Sequence, residues 1–558
     1  MNLIEDAWIP ARRRSGKVER ISPWQLTDGF AEDPFVGPAA PRPDFNGALV
    51  QFLIGLLQTA FPPETWGEWW RRIRQPPPEA ELRARFQTIA EAFSLDKGEH
   101  RFLQDLAVGR DGVVSPEDNG ASKLVGDLLP VCGLLIEVPT GKTLRDNTDH
   151  FVKRGGIGFL CRACSAVALF TLQTNAPLGG RGYFTGIRGG GPLTTLVVSG
   201  NHESPATLWR TCWENVLTDD SFLASTGNPE KDDCADTFPW MAKSGVPGDR
   251  TLTPEDCHPH QVFWAMPRRI RLVFAAAPCG NACDLCGEPD AKGTKGYWAK
   301  DQGISYEGPW KHPLSPYYSK DGGAFLPVHP EAGGVGYRHW LGLVQGVKIE
   351  SETPGKPKLV REPSAVVGWA LARKDGDVRL WAFGYQMSNK KACCWYESTM
   401  PILGCPEEHR SSCEYHVVSL VKAAELIAKA TRDNIKKAMF NSRTKVRGNL
   451  KFIDQRFWQL TEAMFFESIR EMGAKLDASE EIAPVLERWG RFLGATAESI
   501  FNDLSQTGDF DAADPKRIAL SWRALQKTIQ SKKFKQTLGL PDKPKGKTRQ
   551  KGGKTQNV

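Results

Sequence analysis

Four stretches in the last third of the chain repeat apolar residues at the i, i+3, i+4, i+7 spacing of one helix face. Val417, Leu420, Val421, Ala424, Ile427 and Ala428 form the first, and Ile453, Phe457, Leu460 and Met464 the second. Ile482, Val485, Leu486, Trp489, Phe492 and Leu493 form the third. The fourth opens on Asp514-Pro515, a capping carboxylate followed by proline at the first helical position, and continues through Ile518, Trp522, Leu525 and Ile529. Each stripe must bury against something, and four helices joined by modest loops bury one another. The pattern therefore predicts a four-helix bundle over residues 411–540.

Residues 1–410 read differently. Helical patches (Ala48–Ala60, Leu82–Phe93, Ser165–Leu172) alternate with short β-like runs at Thr195–Val198, Ile270–Phe274 and Val378–Phe383. Gly, Pro and Trp are scattered between them, as in an α+β body with long loops. The expected fold is thus a large mixed α/β body (1–410), the bundle (411–540) and a tail (541–558). The longest apolar stretch, Ala48–Ala60, is interrupted by Gln51 and Gln58 and is too short to span a bilayer. Glu5 and Asp6 precede any hydrophobic segment, which does not fit a secretory signal, so a cytoplasmic location is expected.

The net charge of +7 suggests nucleic acid, but its distribution changes that reading. Residues 531–558 carry nine Lys/Arg against Asp542 alone, so this end is +8 and the rest of the chain −1. A Lys-, Gly- and Pro-rich tail cannot bury a core and is expected to be disordered. It would hold polyanions without sequence preference, or simply be solvated; any specific binding must come from the body.

Thirteen cysteines in such a chain suggest metal binding or plain burial more than disulfides. Cys161-Arg-Ala-Cys164 and Cys283-Asp-Leu-Cys286-Gly287 have ligand spacing, each turn aiming two thiolates at one ion. Two such turns would close a tetrahedral structural zinc site. Spacing alone does not bring together pairs separated by more than a hundred residues. Cys279 and the run Cys257-His258-Pro-His260 are rival ligands, and burial as small hydrophobes is the plain alternative. A thioredoxin-like redox pair has no βαβ context around it.

From Pro177 to Pro192 the chain holds seven glycines, with Arg181 and Arg188 supplying charge. Such a loop either brings backbone amides close to a phosphate or base edge, or is merely flexible. It is no dinucleotide fingerprint, because the third glycine position after Gly180 and Gly182 is Thr185. Gly141-Lys142-Thr143 fails as a P-loop, because the required first glycine is Ile136. H-E-x-x-H and G-x-S-x-G are absent and the ten histidines are dispersed, so nothing in the sequence points to catalysis.

Several segments together resemble one family. They are Asn2-Leu-Ile-Glu-Asp-Ala-Trp-Ile-Pro10, Cys161-x-x-Cys164 through Phe170, and Asn175-Ala-Pro177 through Ile187-Arg188-Gly189-Gly190 and Thr194-Thr195. Trp310-Lys-His-Pro-Leu-Ser-Pro316 and Gly384 through Tyr396 complete the set. These blocks, in order over roughly residues 1–530, resemble the CasA family, large subunit of the type I-E CRISPR surveillance complex Cascade. The resemblance implies a non-catalytic role in RNA-guided antiviral defence, with partners in the other Cascade subunits, guide RNA, double-stranded target DNA and a helicase–nuclease. The guide reads sequence, while the protein reads a short protospacer-adjacent motif (PAM), here from the minor groove, and starts strand opening. The motif-reading glycine loop maps onto Gly179, Gly180, Arg181 and Gly182, and a groove-facing lysine onto Lys300. A wedge hairpin maps onto Asn389, Lys390, Lys391 and Ala392, with either lysine as the inserted side chain where some relatives have glutamine. Arg181 stands where some relatives show glycine. Phe151, Val152 and Lys153 match a loop that docks near the guide-RNA 5′ end. Relatives carry both C-x-x-C pairs, so the resemblance implies one structural zinc on Cys161, Cys164, Cys283 and Cys286. The alternative from another class is a zinc-dependent nucleic-acid-processing enzyme using Cys257, His258 and His260.

Overall fold

A computed structural model describes residues 1–109, 124–139, 145, 147, 155–179, 182–199, 206–242, 250–278, 282–350, 357–373, 378–388, 391–404, 407–440, 450–506 and 514–540. The fold is mixed α/β, with 46% helix and 20% strand and a helical C-terminal region. It forms two compact units, one of residues 1–335 with 342–404 and the other of 336–341 with 405–558. No described helix is long and apolar enough to cross a membrane.

The first unit is built around the helix Pro43–Ala60, which is buried on nearly every side. A helix apolar all round belongs inside a core rather than on its surface. Its Phe52 ring meets Trp8, Phe93, Phe102, Phe170 and Trp264 edge-on at 5.3–5.9 Å. The two glutamines that interrupt the apolar run are buried there and bonded. Gln58 clamps the backbone of Leu217 from both sides, accepting from its N–H at 2.8 Å and donating to its carbonyl at 3.1 Å. Gln51 accepts from the Arg188 guanidinium at 2.6 Å.

Among the described residues, four sheets of three or more strands belong to this unit. Ile9–Arg13 lies between Val18–Ile21 and Phe35–Pro38. Lys292–Lys300 pairs with Arg269–Ala276 on one side, and with Asp127–Pro130 and Leu160–Cys161 on the other. Val378–Ser388 lies between Thr194–Ser199 and Lys391–Pro401, the last pair forming a long antiparallel hairpin. A fourth sheet joins Tyr317–Lys320 to the strands Leu326–Pro327, Pro357–Glu362 and Val347–Glu350. The patch expected to be helical over Leu82–Phe93 is shorter: the helix Glu79–Gln87 ends, and a single tight turn covers Ala90–Phe93.

The second unit contains the helices Arg410–Met439, Lys451–Asp477, Ala483–Gln506 and Pro515–Ile529, with the short Lys532–Thr537. The first of them packs on the other three long ones. The Asp514 side chain accepts from Arg517 N at 3.0 Å, capping the helix that Pro515 opens. Trp489 is fully buried, and its indole N–H donates to Leu420 O at 3.1 Å. The second stripe is rotated from its expected face. Leu460 is 49% exposed, while Thr461 and Phe465 are buried. Tyr337, from the inserted segment 336–341, explains the rotation. Its ring stacks on Phe465 at 4.3 Å, and its hydroxyl meets Thr461 Oγ1 at 2.9 Å. Thr461 also donates to Phe457 O at 2.7 Å, so burying it leaves no polar atom unmatched.

Candidate nucleic-acid interface and cysteine cluster

The two C-x-x-C turns meet. Cys161 ends the strand Leu160–Cys161, and its sulfur caps the helix Arg162–Asn175 by accepting from Cys164 N at 3.4 Å. That strand pairs with the start of Lys292–Lys300, Cys161 opposite Gly293, which brings the second turn alongside. The second turn is a tight knuckle: Gly287 N donates to Cys283 O and Cys283 N to Glu288 O, both at 2.9 Å. Asp284 binds it to the first, its carboxylate accepting from Gly158 N and Phe159 N at 2.7 Å each. Asp290 accepts from the Arg162 guanidinium at 3.0 and 3.1 Å, locking the same junction.

The sulfurs of Cys161, Cys164, Cys283 and Cys286 all lie within 4.8 Å of one another, with Cys161 and Cys286 at 3.8 Å. Zinc–sulfur bonds of about 2.3 Å in a tetrahedron separate the sulfurs by roughly 3.8 Å, so the set fits a metal ion. Crowding ties the thiols' ionisation together. Hydrogen bonds from Cys161 draw Cys283 down and bring Cys286 to about 7, while the bond to Cys161 pushes Cys164 up. The Arg20 guanidinium lies 3.8 Å from Cys286 Sγ, where it would offset the excess negative charge of a four-thiolate ion. Among the described residues, the rival ligands Cys257, His258 and His260 do not form such a group, and Cys279 lies outside those residues. Cys257 and His260 are buried, His258 Nδ1 accepts from His260 N at 3.2 Å, and His260 stacks on Phe222 at 5.1 Å. Cys413 is disulfide-bonded, while ten other described cysteines are free, in line with a chain whose cysteines suggest metal binding or burial more than disulfides.

The glycine loop is a packed joint. Gly179 N donates to Tyr183 O at 3.1 Å, while Gly180 and Arg181 lie outside the described residues. Gly182 has φ +79° and its carbonyl accepts from Gln302 N at 2.7 Å. An added Cβ there would stand 2.8 Å from that same nitrogen, so only glycine fits. Gly191, at φ +61°, lies against the 378–401 hairpin, where a Cβ would stand 2.7 Å from Tyr385 O. Arg188 does not face a ligand: its guanidinium is buried, donating to Gln51, Thr194 and Ser315, and burial pushes it down to about 10.

This packing brings together residues that lie far apart in sequence. Lys300, at the end of its strand, directly precedes Asp301 and Gln302, the residues that pack against Gly182, and its ammonium pairs with Asp301 at 3.3 Å. The far end of the loop runs into Thr194–Ser199 and so into the sheet that carries the hairpin. Lys391 and Ala392 begin the hairpin's outer strand, Lys391 exposed and paired in register with Ser388. Asn389, Lys390, Phe151, Val152, Lys153 and the tail 541–558 lie outside the described residues. Sequence reasoning missed the residues that hold this arrangement. Arg268 donates to Pro177 O and stands over the Tyr183 ring at 5.1 Å, and Gln302 anchors Gly182. Nothing in their local sequence marks either one.

Residues 2–500 match the model of the family described as CRISPR-associated protein Cse1. Among solved structures, the chain is similar to Thermobifida fusca Cse1 (TM-score 0.65, 15% identity, covering 97% of this chain and 98% of that one). It is similar also to Thermus thermophilus CasA (TM-score 0.58, 16% identity, covering 97% and 99%). A chain of a structure titled CRISPR RNA-guided surveillance complex matches with a TM-score of 0.58 at 14% identity, covering 95% and 99%. At these identities the solved structures establish a shared fold. With a family match that spans nearly the whole chain, the protein belongs to the CRISPR-associated Cse1 family.

Proposed function

We propose that this chain is the non-catalytic large subunit of a CRISPR RNA-guided surveillance complex, Cascade. In this role it reads the adjacent motif of duplex DNA from the minor groove, seeds strand separation and helps recruit the helicase–nuclease. The observation that carries the reading is the linkage of three elements in one unit. Gln302 bonds Gly182 two residues beyond Lys300, and the other end of the glycine loop packs on the 378–401 hairpin. A motif reader that also opens the duplex needs this coupling, because the groove contacts must hold the DNA while a wedge enters the neighbouring base step. In this arrangement Gly179 to Gly182 approach the groove floor, Lys300 supplies charge at its edge, and Asn389 to Ala392 form the wedge with Lys390 or Lys391 inserted.

The four cysteines hold one structural zinc. When bound, the ion would crosslink strand and knuckle and would take no part in chemistry. Phe151 to Lys153 dock near the guide-RNA 5′ end. The basic tail adds salt-sensitive, sequence-independent attraction to DNA. The enzymatic alternative loses support, because among the described residues Cys257, His258 and His260 do not gather into a group that could hold a metal ion.

A library of duplexes varied beside a fixed target tests the reading with the assembled complex. Gly180→Trp and Lys300→Ala are expected to weaken or shift motif preference without changing binding to target strand alone. Unchanged preference in both variants would contradict the reading.

A further inference from the structure

Cys393 and Cys394 are adjacent on Lys391–Pro401, the outer strand of its sheet. In a regular strand consecutive side chains point to opposite faces, so two neighbouring cysteines would part company. Here the register breaks. Gln386 pairs with Cys394 and Met387 with Ala392, which leaves Cys393 as an extra residue without a partner, a β-bulge. Both cysteines are exposed in consequence, while Ala392 and Trp395 on either side are half-buried. Both are free thiols. Each sulfur makes only a weak contact with a carbonyl of its own strand, Cys393 with Lys391 O at 3.7 Å and Cys394 with Trp395 O at 3.4 Å.

We infer that Cys393 and Cys394 form a two-thiolate site for a soft, thiophilic ion, the class of univalent copper and trivalent arsenic, with one ion bridging both sulfurs. Soft thiolate ligands select such ions over harder ones. Direct closure into a disulfide is the competing fate, and distance disfavours it. Adjacent Cα atoms lie about 3.8 Å apart across a trans peptide, short of the roughly 4.4–6.8 Å that a disulfide usually spans. An ion between the sulfurs lengthens the bridge and relieves that constraint. With an aryl arsenoxide the step is a condensation. Two As–S bonds form, the As=O oxygen leaves as water with the two thiol protons, and nothing is oxidised or reduced.

The test uses phenylarsine oxide on the full-length, zinc-loaded protein, with intact mass read in excess monothiol, which strips arsenic held by one sulfur. The unmodified protein is expected to retain one more equivalent than Cys393→Ser and than Cys394→Ser, and a small dithiol is expected to remove that equivalent. The inference does not depend on the DNA-reading role. The serines replace exposed thiols, and an unfolding temperature equal to that of the unmodified protein shows that the fold is kept. Equal retention in all three proteins, or loss in only one variant, would overturn the shared site.

Discussion

Gly182→Ala measures how far the glycine loop depends on its anchor at the end of Lys292–Lys300. The added methyl acts twice. A residue other than glycine at φ +79° costs about 1–2 kcal/mol in backbone strain. The Cβ also falls 2.8 Å from Gln302 N, a backbone atom that cannot swing aside as a side-chain tip would. Relief requires Gly182 and Gln302 to separate and gives up their 2.7 Å hydrogen bond, a further loss of about 1 kcal/mol. The sum, about 2–3 kcal/mol, is smaller than the roughly 5–15 kcal/mol that holds a domain together, so the protein folds with its loop displaced from Lys300. Gly16→Ala is the control, because Gly16 has φ +93° with nothing within 4 Å of its Cβ and carries only the strain. Denaturant unfolding of both variants, with motif-dependent binding of the assembled complexes, is the assay. Gly182→Ala is expected to lose about 1 kcal/mol more than Gly16→Ala and to lose motif discrimination, which Gly16→Ala keeps. Equal destabilisation with motif reading intact in both would refute the anchor.

Cys283→Ser is expected to reduce bound zinc from one equivalent to near none and to lower the unfolding temperature, because structural zinc contributes directly to folding; metal analysis and thermal unfolding of the folded protein check the two effects. Deleting 541–558 removes six basic residues and is expected to flatten the salt dependence of non-specific DNA binding, read by titration at several salt concentrations, while motif preference stays intact. Burial, with the neighbouring His258, holds the His260 imidazole down to about 3, against about 6.5 when unfolded. Between those values the unfolded chain takes up a proton that the folded protein refuses, so stability is full above pH 6.5 and is lost as pH falls towards 3. His260→Gln is expected to flatten that acid limb in unfolding curves; an unchanged slope would remove His260 as its source.

What the sequence disclosed follows from how local each signal is. The Asp514-Pro515 start and the buried Val417 to Ala428 face depend on neighbours within two turns, and both were legible. The face of Lys451–Asp477 was not, because Tyr337, more than a hundred residues away, selects Thr461 in place of Leu460. The C-x-x-C pairs announced two ligand turns, but their meeting depends on pairing of Leu160–Cys161 with Lys292–Lys300, which no local pattern encodes. The glycine-rich stretch left open whether it binds or merely flexes. Its described glycines are instead dictated by contacts such as Gln302 at Gly182 and Tyr385 at Gly191. Arg188 looked like a charge for a ligand and is a buried donor to Gln51, Thr194 and Ser315.

The proposed motif-reading and strand-opening roles separate most directly in the rate of guide–target hybrid formation, measured with assembled complexes on closed duplex and on duplex already unpaired beside the motif. Unstacking a base step costs a few kcal/mol, a cost that a wedge offsets only once the duplex begins to open. The Lys390→Ala, Lys391→Ala double variant is therefore expected to bind motif-bearing duplex, to form hybrid slowly on the closed target, and to recover most of the rate on the pre-opened one. Gly180→Trp is expected to fail at the first encounter and to recover far less. Equal recovery of both variants, or recovery of neither, would contradict the division of labour between glycine loop and hairpin.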